Sequence, residues 1–150
     1  MFSIQDIYNI AIQLERNGEK EYLQAAGTAT DTELITCYKW LAKQEAKHAE
    51  WFSAQLKLHP QQISADEKIS EFSRDILQKI VADSSFLSEG RELTTIRNRE
   101  EALQNAINMA KDTILLYEVL LELIEDEETR KEMGKIIAEE QSHIKLLETL

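Results

Sequence analysis

The sequence predicts an all-α fold: a four-helix bundle of two antiparallel hairpins joined by a long crossover with one short extra helix. Three observations predict it. Only 4 Gly and 1 Pro occur in 150 residues, which leaves long helices uninterrupted. Apolar residues recur at helical rather than alternating spacing. Two of the joints between helical segments are a few residues long, whereas roughly forty residues separate the second segment from the third. With 43% hydrophobic residues and no low-complexity stretch, residues 1–150 read as a single domain with a buried core.

The first helix shows an apolar stripe at Ile4, Ile7, Ile10, Ala11, Leu14 and Tyr22. Ser3 is placed to cap its start, and Gly27 suits a left-handed residue after its end. The second helix begins at Thr30 or Asp31, where Thr30 and Glu33 match a capping box, and stops before Pro60. Ser64 and Glu67 match another, opening a short helix through Phe72, Ile76, Ile80 and Val81. A looser stretch surrounds Ser88–Gly90. The third helix is expected from about Asn98 to Ile124 and the fourth from about Asp126 onward. Trp40, Trp51, Phe52, Met109 and Met133 fall at helical spacing and read as core.

A formal net charge of -11 argues against nucleic acid, because phosphate binding needs a basic face. Asp6 interrupts the first apolar run, which has no basic segment before it, so a signal peptide is not expected. Glu118 and Glu122 break the most apolar stretch, Thr113 to Ile124, so no membrane span is expected either. Cys37 stands alone, which excludes an internal disulfide and a CxxC metal knuckle, and it reads as a packing residue. These features together point to a reducing, cytoplasmic setting. His59, before Pro60, reads as a solvated helix end, and the Glu125–Glu128 run as charges offsetting a helix dipole.

A shift of 95 residues lays the second half of the chain over the first. Ala11-Ile12 then meets Ala106-Ile107, Tyr22 meets Tyr117, Asp31 meets Asp126, Glu45 meets Glu140 and His48 meets His143. One offset without a gap is what two copies of one helical hairpin leave behind. The shared motif is Glu-x-x-His, at Glu45/His48 and Glu140/His143. Three residues turn a helix by about 300°, so each Glu and His share a face and can hold a divalent ion. Two such motifs facing inward, with a glutamate from each remaining helix, make a di-iron or di-manganese site. The first helix offers Glu15, set in its apolar stripe, where an unpaired carboxylate is costly to bury.

These residues resemble the rubrerythrin branch of the ferritin-like superfamily over nearly the whole chain. The resemblance rests on Leu14-Glu15-Arg-Asn-Gly18-Glu-Lys-Glu-Tyr22, Gln44-Glu45-Ala-Lys-His48, the Ala106–Tyr117 run and Glu139-Glu140-Gln-Ser-His143. It implies a ferritin-like bundle with Glu15, Glu45, His48, Glu140 and His143 as metal ligands. The family's bridging glutamate on the third helix falls on Ala110, the counterpart of Glu15, so that ligand position is vacant. A further carboxylate of full-length rubrerythrins falls on Thr113. Asp112 lies about 200° round the helix from Ala110, and Glu118 is roughly 12 Å along the axis, so neither substitutes. Tyr22 and Tyr117 are placed to hydrogen-bond ligand carboxylates, or to fill core with the hydroxyl at its edge.

The expected function is a non-haem di-iron protein of oxidoreductase type that reacts with peroxide or dioxygen, manganese being the alternative metal. Two irons per chain are expected, the second position being incomplete. With one cysteine there is no rubredoxin-type iron site in these residues, so catalysis requires a separate electron-donor protein. A homodimer paired through helix faces is expected by analogy alone. Two other readings fit the same residues: a metal-binding or sequestering module without turnover, and a structural bundle whose metal site has decayed.

Overall fold

Side-chain caps set where the helices begin. Ser3 Oγ accepts the Asp6 N–H (3.0 Å) while the Asp6 carboxylate accepts the Ser3 N–H (2.9 Å), a reciprocal box that starts α1 (Ile4–Thr28). Asp31, rather than a Thr30–Glu33 box, starts α2 (Thr32–Leu58), because its carboxylate takes the Glu33 N–H at 3.0 Å. Gly27 is not a left-handed terminator. It lies inside α1, which closes with the Ala29 N–H on the Ala25 carbonyl, and Ala29 itself is extended. The short helix α3 (Glu71–Ala82) starts later than expected, since Ser70 Oγ accepts the Ser73 N–H and Ser64 pairs in extended form with Ser3.

The remaining helices are α4 (Arg99–Leu123) and α5 (Glu127–Thr149), the latter capped by Asp126, whose carboxylate holds the N–H and hydroxyl of Thr129. The computed structural model describes residues 3–59, 64–65, 68–82 and 99–150. Pro60, Glu67, the Ser88–Gly90 stretch and Asn98 lie outside the described residues, as does the Val81 side chain. Among the described residues all regular structure is helical, and no helix is long and apolar enough to cross a membrane.

Residues 29–31 and 124–126 are the only breaks within the two hairpins, so α1 folds back on α2 and α4 on α5. α1 also meets α4, and α3 lies against α4. The core divides into two apolar clusters. One joins Ile7, Leu14, Phe52, Leu77, Leu120 and Met133, and the other Tyr22, Leu34, Tyr38, Leu41, Ile107 and Leu147. Each bundle helix passes from one cluster to the other, and its chemistry-bearing residues fall between them. Phe52 and Met133 are fully buried as expected, and Trp51 and Met109 are half-buried.

One aromatic departs from the expected core. Trp40 is 46% exposed, because Leu41 takes the inward position and the helical step of about 100° leaves Trp40 on the rim of α2. Phe72 is 73% exposed, since α3 buries Ser73, Leu77 and Ile80 instead. The Ser73 hydroxyl is satisfied by Glu122 on α4 at 2.9 Å. His59 is an exposed helix end whose carbonyl accepts from the Gln5 side chain, and Cys37 is a half-buried thiol.

Arg130 joins the second hairpin across its turn. Its Nη1 donates to the Leu121 carbonyl (2.6 Å) and the Ile124 carbonyl (3.0 Å), two groups that the end of α4 leaves without helical partners. Arg130→Met should lower the urea unfolding free energy by ~1–3 kcal/mol, the range for charge-assisted bonds and stranded acceptors. A loss below ~0.5 kcal/mol would mean that water serves these carbonyls equally well.

Candidate metal centre

Between the two apolar clusters, all four bundle helices turn residues inward at one level. α1 contributes Glu15, α2 contributes Glu45 and His48, and α5 contributes Glu140 and His143, all buried. At this level α4 presents Ala110 and Thr113, also buried. Ala110 therefore faces inward, on the side shared with Ile107, Ile114 and Tyr117. Thr113 turns its hydroxyl onto the Met109 carbonyl of its own helix at 2.9 Å.

One ligating atom from each of Glu15, Glu45, His48 and Glu140 lies within 4.8 Å of the others. His143 adjoins this group, with Nδ1 at 3.6 Å from both Glu45 Oε1 and Glu140 Oε2. Glu140 spans the two histidines: its Oε1 is 3.0 Å from His48 Nδ1, and its Oε2 faces His143. The His48 and His143 rings lie nearly parallel, with centroids 6.1 Å apart. All five residues expected from the sequence thus meet in the bundle centre.

Neighbouring groups hold these side chains in place. The Tyr117 hydroxyl donates to Glu15 Oε1. Tyr22 is buried against Tyr38, with ring centroids 6.1 Å apart. Gly18 lets Glu45 lie close to α1, since a Cβ there would stand 3.1 Å from Glu45 Oε2. Beside Gly18, a narrow cleft between α1 and α4 is lined by Tyr22, Ala25, Ala106 and Met109.

Two contacts were not foreseen. Glu139, itself half-exposed, reaches across to His48 Nε2 at 2.6 Å, and Trp40 sets its ring edge-on to His143 with centroids 5.4 Å apart. Both cross from one hairpin to the other. Periodicity within a single helix carries no signal of such a contact.

Burial decides the charge state of the cluster. It pushes Glu15 and Glu45 well above the usual carboxylate range, and the charge of Glu140 adds to the effect. Burial acts on Glu140 in the same direction, yet the two imidazoles beside it prevail and hold it at about 2. For His48 and His143 burial disfavours the cation, but Glu140 outweighs it, with Glu139 helping at His48 and Glu45 at His143, and both rise to about 9. Tyr117 and Tyr22 are raised by burial and then by the surrounding carboxylates.

Among the described residues, two buried side-chain polar atoms have no hydrogen-bond partner: Glu15 Oε2 and His143 Nδ1. An orphaned carboxylate oxygen and an orphaned imidazole nitrogen are the atoms a bound cation satisfies. Three carboxylates with two imidazoles are a donor set suited to iron or manganese. The residues present fit a metal.

This combination defines a class: a helical bundle with a buried carboxylate–histidine cluster between its two hairpins is a ferritin-like protein. The chain belongs to the rubrerythrin family, whose model matches residues 6–150. A crystal structure from Thermotoga maritima, described provisionally as a ferritin-like diiron-carboxylate protein, is similar in fold, with a TM-score of 0.69 and 25% identity. That match covers 97% of this chain and 92% of the other. A comparison with curated proteins finds no significant match.

The metal-free protein should lose stability as pH rises. The folded histidines hold protons up to about 9, so their contribution is complete below ~6.5 and lost as pH rises through 9. Glu15 and Glu45 act in the same direction, because their raised values make the folded state hold protons that the unfolded chain has released. Glu140 is opposite, its contribution being present above the usual carboxylate value and lost as pH falls through about 2. Thermal unfolding in chelator should therefore give a lower midpoint at pH 9 than at pH 6, with a flatter profile in a His48→Gln/His143→Gln variant. Equal slopes in the two proteins would place the pH dependence elsewhere.

Proposed function

We propose that the chain is a non-haem di-iron carboxylate protein of oxidoreductase type that reacts with peroxide or dioxygen, with manganese as the alternative metal. The observation that carries this reading is Glu140, whose two oxygens face different histidines. Glu140 would be shared by a pair of ions, with Glu15 and His48 holding one and Glu45 and His143 the other. A ferrous pair there would supply the electrons for reducing an O–O bond.

The chain's own residues perform the remaining tasks. Glu139 accepts the Nε2 proton of His48, which fixes the ring and turns Nδ1 toward the carboxylates. Tyr117 orients Glu15 from α4. The apolar clusters on either side keep bulk water from the centre. Charge balance also favours a cation. Metal binding displaces protons from Glu15, Glu45 and the histidines, so affinity should strengthen as pH rises.

Ala110 supports a second reading, binding without turnover. It is buried at the α4 level where the repeat pairs it with Glu15, and it supplies no ligand atom. Anaerobic ferrous titration followed by stopped-flow mixing with peroxide, with and without reductant, separates the two. Repeated cycles with reductant support the oxidoreductase. A single slow oxidation supports binding alone, and no bound iron rejects both. His48→Ala and His143→Ala should each lower bound iron with helicity nearly unchanged.

Ala110→Glu should complete the ligand set. The new carboxylate is buried, so without metal the variant should be less stable by ~1–3 kcal/mol, the cost of an unsatisfied polar group. With ferrous iron it should bind two ions per chain more tightly than the parent and recover that loss. Anaerobic thermal unfolding with and without iron measures this. If iron stabilises the variant no more than the parent, residue 110 takes no part in the site.

A further inference from the structure

We propose that Trp40 is the port through which electrons enter the centre, and that its surroundings on α2 receive an acidic one-electron donor protein. The inference rests on the metal reading above and names its partner. Trp40 is 46% exposed, the large aromatic on the rim of the α2/α5 seam, and its ring meets His143 edge-on at 5.4 Å. One side chain therefore links solvent to an imidazole whose Nδ1 faces the carboxylates and is otherwise unpartnered. Electron tunnelling weakens steeply with distance, and an indole in contact with a ligand imidazole offers a short, polarisable path. On the other side of the cluster, His48 is covered by Glu139, a carboxylate that offers no such path.

The α2 side of the surface beside Trp40 differs in sign from the chain as a whole. The chain carries a net charge of -11, yet Lys39, Lys43 and Lys47 stand exposed on α2. Lys43 and Lys47 follow Trp40 by three and seven residues, on the same side of the helix. Between Glu33 and Glu50 the only acidic residue of α2 is Glu45, which points inward. A basic strip on an acidic protein selects an acidic partner and orients it over the exposed indole. The repeat is also broken here: the 95-residue shift places Lys135 opposite Trp40, so the port occurs in one half only. Each transfer oxidises the donor by one electron and lowers the metal by one oxidation level. No bond forms or breaks, and Trp40 is unchanged at the end.

The test mixes oxidised, iron-loaded protein anaerobically with a reduced acidic rubredoxin, whose absorbance reports each electron lost. Dithionite measures the total reducible iron, and metal analysis gives iron per chain. Trp40→Leu should slow transfer from rubredoxin by about tenfold or more, equivalent to ~1.4 kcal/mol of activation free energy. Its iron content and dithionite end point should equal those of the parent. The surface variant Lys43→Gln/Lys47→Gln should slow the bimolecular rate by about tenfold at low salt and flatten its ionic-strength dependence. Transfer to Trp40→Leu at the parent rate overturns the port, and so does loss of iron in that variant, which makes Trp40 a packing group over His143. An unchanged rate in the lysine variant overturns the acidic partner. A parent that binds no iron, or takes no electrons from dithionite, overturns the metal reading itself and the port with it.

Discussion

Three carboxylates buried at one level of a helical bundle are the constraint on which the rest of the structure depends. Glu15, Glu45 and Glu140 lie away from water, where three negative charges are untenable without cations. In the metal-free protein the two imidazoles favour the charged form beside Glu140, and burial favours the neutral form of Glu15 and Glu45. A bound metal ion would take over the same electrostatic task. The features around the cluster follow from this requirement: Tyr117 supplies a donor to Glu15, Glu139 supplies an acceptor to His48, and Gly18 leaves room for Glu45.

The repeat explains where four of the five site residues come from, and its breaches explain their inequality. Superposing the halves pairs Glu45 with Glu140 and His48 with His143, the two motifs that face one another across the bundle. The same operation pairs Glu15 with Ala110, Glu139 with Gln44 and Trp40 with Lys135. Each breach falls at or beside the centre. Glu15 has no carboxylate counterpart on α4, where Ala110 stands, and His48 has an anionic support from Glu139. His143 has an aromatic neighbour in its place. The two halves thus share a backbone plan but surround the cluster with different chemistry.

The bundle and the five inward residues were legible because helical periodicity acts within single helices and an ungapped offset of 95 residues pairs the two Glu-x-x-His motifs. Stripes such as Ile7, Ala11 and Leu14 mark an inward face, and the Glu-x-x-His spacing puts both ligands on it. Caps were legible less well. Thr30 and Asp31 both qualify by type, and only the chain's path decides that Asp31 takes the Glu33 N–H. Gly27 carries a terminator's signature, yet α1 closes with ordinary helical bonds to Ala29, which makes a left-handed residue unnecessary. Trp40 was misplaced for a related reason. Its spacing fits a core stripe, but it sits at the edge of that stripe, where the separation of α2 from α5 decides exposure. The Glu139–His48 contact belongs to that separation too, a property of two helices from different hairpins.

The separation of the core into two clusters has a consequence for how metal and fold are coupled. In a small domain organised by its metal, the unfolded chain and the metal-free chain are the same state. Here each end of the bundle is closed by its own apolar cluster, one including Phe52, Leu120 and Met133 and the other Leu41, Tyr38 and Leu147. Fully burying one such side chain contributes roughly 1.5–3 kcal/mol, so the two ends together outweigh an unfavourable polar layer between them. The layer can then remain poorly satisfied, with Glu15 Oε2 and His143 Nδ1 unpartnered, without opening the bundle. A metal would meet side chains already within a few ångströms of one another, and its binding free energy would go into neutralising the carboxylates rather than into ordering helices. For the same reason, Ala110 can stand at this level without offering a ligand atom while the helices around it stay in place.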